Sequence, residues 1–225
     1  MKRLLWGLAL IGVLAGQRAG AQDRMTLPRP GLEVVYDYGI NTPTLRISKV
    51  LRVEGDRHLI GSKTVKRNPD VVVPRYDNST GYEYQYWVSD EFRVESVKDP
   101  AIDSGKTKSA TCRRSLPASQ MRDLRPQSVI QFTNICDTVM IDGTQNTTSV
   151  EYRRIVIRKE KLTVGSGSFD TIVYRRERLD SGGAVSETNT LWFAPALGMV
   201  LREESEGVIR GQAVKLITWA IAVSP

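Results

Sequence analysis

The chain has 225 residues, of which 40% are hydrophobic and 25% are charged, and its formal net charge is +7. Lys2, Arg3 and Arg18 belong to a predicted leader, so the rest of the chain carries a net charge of only +4. That excess is too small for a nucleic-acid-binding surface and leaves weak attraction to anionic lipid or polysaccharide as the alternative to an ordinary mixed surface.

Residues 1–21 have the pattern of a cleavable secretory signal peptide. A Lys-Arg pair precedes an apolar run at 4–15, which is too short to span a bilayer, and Ala-Gly-Ala at 19–21 supplies the small residues that signal peptidase accepts. No later segment has about eighteen uncharged apolar residues in a row. We therefore predict a periplasmic protein that begins at Gln22 and has no transmembrane anchor after cleavage.

The mature part of the chain is dominated by β signals. Runs rich in β-branched and aromatic residues predict strands when Gly, Pro, Asn and Asp bound them. The tyrosines at 82, 84 and 86 follow at two-residue spacing and therefore share one strand face. In the first half the predicted strands are 32–38, 45–53, 58–65, the tyrosine segment and 92–96, with a loop at 68–79.

Residues 98–127 form the only long break in this strand pattern. Within it, 115–124 has the features of a short helix, with Ser115 as cap and Pro117 in the first turn. Strands resume at 129–134, 138–141, 150–157 and 161–164, and a meander with short links follows at 171–179, 185–193, 199–205 and 214–223.

This layout predicts one β domain over residues 22–225. Short strands at regular spacing with little helix are typical of sandwiches and barrels. We expect a mostly β fold: a single antiparallel curved sheet, half-barrel or barrel, with at most one short helix.

Cys112 and Cys136 are the only cysteines. An even pair in an oxidising compartment predicts a disulfide. It would close a loop of about 25 residues and stabilise the fold by roughly 3.5 kcal/mol in the chain-entropy model. Two cysteines and one histidine are too few ligands for a zinc site, so neither a metal nor another cofactor is predicted.

The final strand is uncharged on both faces near its end. Ile217, Trp219 and Ile221 share one face, and Thr218 and Ala220 share the other. Such a strand is either central in a core or lines a lipid-sized cavity. We expect a ligand on the concave face beside the three large apolar residues, unless the segment 117–124 fills that face.

The aromatic strand supplies a second set of candidate ligand-binding residues. Tyr82, Tyr84 and Tyr86, with the neighbouring Trp87, can stack on sugar rings or contact acyl chains. The same spacing also forms an ordinary cross-strand ladder. The candidate ligand-binding residues are therefore the three tyrosines together with Ile217, Trp219 and Ile221.

No catalytic constellation is recognisable. The chain has no Gly-x-Ser-x-Gly nucleophile elbow whose serine could act with His58. The segment Ser-Gly-Lys-Thr at 104–107 lacks the first glycine of a phosphate-binding loop. Adjacent carboxylates such as Glu203 and Glu204 point to opposite faces of a strand and cannot form an acid–base pair by themselves. We therefore name no catalytic residues.

The basic strand 175–178 has two interpretations. Arg176 and Arg178 would share one face, with Arg175 on the other. Cross-strand pairs to Glu187 or Glu203 would make this a solvated sheet face. A patch for anionic phospholipid or glycolipid is the alternative.

Two segments resemble a family of proteins. Gly-Ser-Gly-Ser-Phe-Asp-Thr at 165–171 and Leu-Trp-Phe-Ala-Pro-Ala-Leu-Gly-Met-Val at 191–200 are similar to secreted Gram-negative bacterial β-sheet proteins of unknown function. The matching residues are Gly167, Phe169, Trp192, Phe193, Pro195 and Gly198. The resemblance implies structural roles for them: Pro195 and Gly198 shape a turn, and the aromatic residues flank the sheet. The strand-rich layout also has a weaker architectural similarity to periplasmic lipoprotein-carrier half-barrels.

These observations favour a non-enzymatic periplasmic protein that binds a lipid-like or other amphipathic component of the cell envelope. The first alternative is a structural or protein-interaction component of the envelope, whose partner would be another envelope protein. The second is a carbohydrate-active enzyme, which requires two carboxylates from different strands in one cleft. No nucleic acid is expected as a partner.

The predicted leader and the cysteine pair together give one testable prediction. We expect the secreted protein to begin at Gln22 and to contain a single disulfide between Cys112 and Cys136, because the chain would mature in an oxidising compartment. Intact-mass measurement with and without reductant checks both statements. A mature protein with two free thiols would refute the pairing.

Overall fold

The computed structural model describes residues 23–38, 44–68, 70, 73–98, 107–165, 167–209 and 212–224; the predicted signal peptide lies outside them. In these ranges the chain forms twelve strands and one short helix. The strands are β1 Glu33–Asp37, β2 Thr44–Glu54, β3 Arg57–Lys66, β4 Tyr82–Ser89, β5 Val94–Lys98, β6 Thr107–Arg114, β7 Val129–Met140, β8 Gln145–Val164, β9 Gly167–Leu179, β10 Val185–Ala194, β11 Met199–Ile209 and β12 Gln212–Ser224, and helix α1 is Ala118–Arg122.

Every strand pairs antiparallel with its neighbours in the chain, and β1 also pairs with β12. The sheet is therefore a closed barrel, which confirms the predicted mostly β fold and selects the barrel over the half-barrel. Closure satisfies the backbone groups that a sheet edge would leave unpaired. No helix among the described residues is long and apolar enough to cross a membrane.

The observed strands differ from the predicted ones in two respects. β6 falls in the stretch predicted as a break, because its sequence Thr-Lys-Ser-Ala-Thr-Cys-Arg-Arg has little apolar alternation. Its pairing with β7 holds it in the sheet. β7 and β8 each join two predicted strands, because residues 135–137 stay paired with β8 and residues 158–160 stay paired with β9.

Directly paired residues of antiparallel strands share a face, so the register assigns each side chain to the lumen or the outer surface. Tyr36 pairs with Arg46 on β2 and with Ala220 on β12. Glu203 on β11 and Tyr86 on β4 both lie close enough to Tyr36 to contribute to its electrostatic environment. These residues from β1, β2, β4, β11 and β12 therefore face the lumen.

Helix α1 and the segment after it close one end of the barrel. Arg154, which is 3% exposed, donates hydrogen bonds to the carbonyl oxygens of Met121 at 2.7 Å, Asp123 at 2.8 Å and Gln120 at 3.3 Å. Leu124 is fully buried in an apolar cluster that includes Tyr174. The predicted filling of the lumen by this segment therefore applies to this end, which we call the plugged end.

A disulfide closes the loop that contains helix α1. Cys112 on β6 lies directly opposite Cys136 on β7, and the two sulfur atoms are bonded. The prediction of this disulfide is confirmed. The bond links the two strands that lead into and out of the segment containing α1. It therefore restricts the conformations that this segment can adopt in the unfolded chain.

The turn between β10 and β11 requires a glycine at position 198. Gly198 has φ +70°, and a Cβ atom there would lie 2.1 Å from the carbonyl oxygen of Leu27. A side chain at this position is therefore excluded both by backbone conformation and by space. The carbonyl oxygen of Pro195 accepts a hydrogen bond from the Thr26 hydroxyl at 2.9 Å, so this turn fastens the chain before β1 to the plugged end.

The contacts of Arg154 with the segment at the plugged end can be tested by comparing two arginine substitutions. We expect Arg154→Ala to lower the free energy of unfolding by about 3 kcal/mol, because several buried carbonyl groups lose their donor. Arg153, its neighbour on the outer face, forms an ion pair with Glu177 and is 39% exposed. Arg153→Ala should cost about 1 kcal/mol or less. Urea unfolding of both variants makes the comparison, and equal losses would contradict the proposed plug contacts.

Trp192 is 6% exposed, donates a hydrogen bond to Glu160, and has the guanidinium of Arg202 4.8 Å from its ring centroid. We expect Trp192→Ala to reduce stability by about 3–5 kcal/mol, because a buried large side chain leaves a cavity. Thr188→Ala, on the same strand and face, should change stability by less than about 1 kcal/mol. Denaturant melts measure both, and a small effect at Trp192 would show that the ring is dispensable for folding.

Candidate functional site

The three large apolar residues of the last strand line one groove on the outer surface. Trp219 pairs with Arg202, and Ile217 pairs with Glu204, whose side chains all point away from the lumen. Together with Ile221 they border a cavity of about 800 Å³. The sequence grouped these residues correctly, but the expectation that they line the concave face is wrong. Near this end of β12 the lumen receives the smaller side chains, Thr218 and Ala220.

The end of the long β8–β9 hairpin forms the opposite wall of this groove. Leu162, Thr163 and Val164 line it together with Gly165 in the turn. A Cβ atom on Gly165 would lie 2.5 Å from the carbonyl oxygen of Ile221, so the hairpin touches β12 at this point. The 20-residue length of β8 allows the hairpin to reach that far. We call the space between this hairpin and β12 the outer groove.

The floor of the outer groove is anchored in the apolar core. Ile221 packs against a cluster that contains Val35 and Ala222, and Leu162 packs against a second cluster that contains Leu201. Ile217 and Trp219 are half-buried. Apolar surface therefore remains accessible in the groove, and the side chains that present it are held from beneath.

One side of the outer groove is charged. Arg202 forms an ion pair with Glu204, and its Nε atom is buried without a hydrogen-bond partner. Lys215 lies on the same face of β12 as Ile217 and forms ion pairs with Glu204 at 3.6 Å and with Glu206 at 2.8 Å. The groove is thus amphipathic, with apolar residues along its length and two cations at its border.

The aromatic strand belongs to a different site. Tyr86 faces the lumen, where burial raises the pKa of its hydroxyl above the ordinary value. Tyr84 is on the same face and is 40% exposed, because it lies nearer the end of the barrel opposite the plug. Tyr82 follows the same backbone register, but its side chain is outside the described part of the structure. The two predicted ligand-binding sets are therefore not brought together.

The lumen contains several arginines, and the sequence analysis discussed only Arg176 and Arg178 among them. Arg46, Arg114, Arg154 and Arg176 all project into it from different strands. Only the shared face of Arg176 and Arg178 was recognisable beforehand. Their predicted partners are confirmed: Arg176 is 3.5 Å from Glu203, and Arg178 is 3.9 Å from Glu187. The other three lie on different strands, so only the register of the barrel shows that they share the lumen.

A second cavity, of about 900 Å³, lies near the barrel end opposite the plug. Lumen-facing residues such as Arg178, Ser205 and Leu216 contribute to its lining. Carboxylates also border it, but each has a structural partner. Glu187 pairs with Arg178, Glu206 pairs with Lys215, and Asp180 accepts hydrogen bonds from the turn that follows it. Glu151 accepts a hydrogen bond from Gln131.

The remaining residues from the sequence analysis have structural contacts. The Nδ1 atom of His58 is 2.8 Å from the carbonyl oxygen of Pro28. Phe193 is buried on the lumen side, opposite the outward Trp192, and Phe169 packs beside Val164 near the outer groove. Gly167, with φ +150°, begins β9 after the turn that borders the groove. The described residues contain no cluster of His, Cys, Asp or Glu able to hold a metal ion.

No protein-family model matches the chain, and no curated protein sequence matches it. Two solved structures are similar. A "putative exported protein with YmcC-like fold" from Bacteroides fragilis has 9% identity and a TM-score of 0.48, covering 90% of this chain and 100% of that chain. A "putative lipoprotein" from Parabacteroides distasonis has 13% identity and a TM-score of 0.43, covering 90% and 99%. Likeness at this level supports no statement about function.

Proposed function

We propose that this protein is a non-enzymatic binding protein of the cell envelope that holds the acyl chain of an anionic amphipathic molecule in the outer groove. The observation that carries the proposal is the convergence of Ile217, Trp219 and Ile221 on one cavity that Leu162 closes from the other side. Its volume of about 800 Å³ is within the range of roughly 300–1,000 Å³ that is typical of small-molecule sites.

The apolar lining favours an acyl chain as the buried part of the ligand. Each methylene group removed from water contributes about 0.8 kcal/mol, so even a chain of moderate length gains useful affinity from a groove that needs no rearrangement. Trp219 provides a large apolar contact area at a low cost in conformational entropy. The groove residues come from rigid strands, which suits them to a preformed site.

The charged border of the groove favours an anionic head group. Arg202 has one buried nitrogen without a partner, and Lys215 lies two residues from Ile217 on the same face. Their carboxylate partners, Glu204 and Glu206, are shared in a surface network, where ion pairs are weak and exchange with solvent. A carboxylate or phosphate at the end of an acyl chain would meet these cations directly.

The location in the envelope rests on the leader and on the cysteines. The pattern at 1–21 predicts export, and the disulfide between Cys112 and Cys136 is of a kind that persists in oxidising compartments such as the periplasm. We propose a periplasmic protein on this basis.

The alternative functions have weaker support. A structural or protein-interaction component would be favoured by an unpaired strand edge, but the closed barrel pairs β1 with β12 and leaves none among the described strands. A carbohydrate-active enzyme would require a free pair of carboxylates in a cleft. The carboxylates that border the 900 Å³ cavity are instead engaged by Arg178, Lys215, Gln131 and a turn.

We expect the mature protein to bind dansyl-undecanoic acid and Ile217→Glu to weaken that binding at least tenfold, because the new carboxylate would contact the acyl chain and repel its head group. Tenfold corresponds to about 1.4 kcal/mol of binding free energy. Fluorescence titration measures the dissociation constant, and circular dichroism verifies that the variant folds.

Leu216→Glu is the matched control. Leu216 is the adjacent residue on β12, faces the other way and is 52% exposed, so the same charge there should leave binding unchanged. The methyl ester of the probe tests the head group and should bind several-fold less tightly, because it loses the attraction of the two cations. Failure of the wild-type protein to bind either probe would contradict the proposed function.

A further inference from the structure

We propose that the barrel lumen is a second binding site, for a phosphate or carboxylate group, in which Arg46, Arg114 and Arg176 hold the anion. This inference is independent of the outer groove, because the lumen residues face the opposite side of the sheet. The three arginines come from β2, β6 and β9, so barrel closure is what places them in the same lumen.

Positive charge exceeds negative charge in this part of the lumen. Arg46, Arg114, Arg154 and Arg176 project inward, and Glu203 is the described carboxylate next to them. Arg178 and Glu187 also face inward but form a separate ion pair, so they leave the balance of charge unchanged. Glu203 lies 3.5 Å from Arg176. Four guanidinium groups and one carboxylate leave a local excess that an additional anion would neutralise. Such an excess is costly in a confined space, since the charges repel one another at reduced solvation.

Arg46 has a hydrogen-bond donor that no described residue uses. Its guanidinium lies 4.6 Å from the ring centroid of Tyr36 and 5.5 Å from that of Tyr38. Its Nε atom is buried and has no hydrogen-bond partner. Among the described residues no carboxylate forms an ion pair with it. The two rings orient the guanidinium plane, which leaves its nitrogen atoms available to an oxyanion.

Arg114 and Arg176 supply the other two guanidinium groups. Arg114 donates to the side-chain oxygen of Asn134, and Arg176 donates to the side-chain oxygen of Asn189 at 3.2 Å. These neutral partners fix the side chains without neutralising them. The Nε atom of Arg176 is also buried without a partner. Guanidinium groups held in this way match the oxygen geometry of phosphates and carboxylates.

The electrostatics of Arg114 support the same interpretation. Burial lowers the pKa of its guanidinium, and the positive charge of Arg176 lowers it further. The guanidinium groups of Arg114 and Arg176 therefore lie within range of each other's electric field, and their positive charges repel. An anion between them would remove this repulsion.

Arg154 is not one of the residues that would bind the anion. Its guanidinium is committed to the carbonyl oxygens of the plug segment, so it is a positioning residue that closes the lumen below the proposed site. Access is from the opposite end. There the 900 Å³ cavity reaches Ser205, whose hydroxyl accepts a hydrogen bond from Asn189, the partner of Arg176.

The test uses the mature protein with sodium pyrophosphate and sodium citrate as probes, and sodium chloride at matched ionic strength as the reference. We expect at least one probe to raise the melting temperature above the chloride reference, because a ligand that binds the folded state stabilises it. Tighter binding of pyrophosphate would identify a phosphate-bearing ligand, and tighter binding of citrate would identify a carboxylate-bearing one.

Four variants distinguish a specific site from general attraction. Arg46→Gln and Arg176→Gln should each weaken probe binding about tenfold in calorimetric titration. Arg175→Gln removes the same charge from the neighbouring outward position and should leave binding unchanged. Glu203→Gln should tighten binding several-fold, since it removes the competing carboxylate while keeping a hydrogen-bond acceptor.

The proposal fails if neither probe stabilises the wild-type protein beyond the chloride reference. It also fails if Arg175→Gln loses as much affinity as Arg176→Gln, because binding would then follow net charge alone. If Arg176→Gln does not fold, Arg46→Gln and Glu203→Gln decide the question, and opposite effects on affinity are the expected result.

Discussion

The pairing of the first strand with the last is the constraint on which this structure depends. β1 has only five residues, and every one of them is buried because β2 lies on one side, β12 on the other and further chain covers its outer face. Its outward Glu33 is 2% exposed and forms an ion pair with Arg75 at 3.1 Å. Arg75 belongs to the segment that also packs Tyr76 against β3. A buried carboxylate is tolerated here because cations on neighbouring elements compensate it.

Closure separates two environments that are adjacent in sequence. Along β12 the outward Ile217 and Trp219 line the outer groove, while the inward Thr218 and Ala220 face the lumen. Along β9, Arg175 joins the outer ion-pair network with Glu177, whereas Arg176 faces Glu203 inside. Because successive residues of a strand alternate in direction, one strand contributes to both the outer surface and the lumen.

The two proposed sites share one supporting element, the plugged end. The β10–β11 turn fastens the chain before β1, and Arg154 fastens the segment after α1. The disulfide between Cys112 and Cys136 spans the strands that carry this segment. The β8–β9 hairpin starts from the same end and reaches β12 at Gly165. The wall of the outer groove and the floor of the lumen are therefore held by neighbouring contacts.

The sequence by itself determined the strand-rich class, the disulfide, the short helix and the alternation that groups Ile217, Trp219 and Ile221. Those features follow from local periodicity and composition, which act within a few residues. Only the tertiary structure decided that the sheet closes, that these three residues face outward and that isolated arginines share a lumen. It also revealed β6, whose own residues have little strand propensity and which pairing with β7 stabilises. Closure joins residues nearly two hundred positions apart, and no local pattern encodes the register of that pairing.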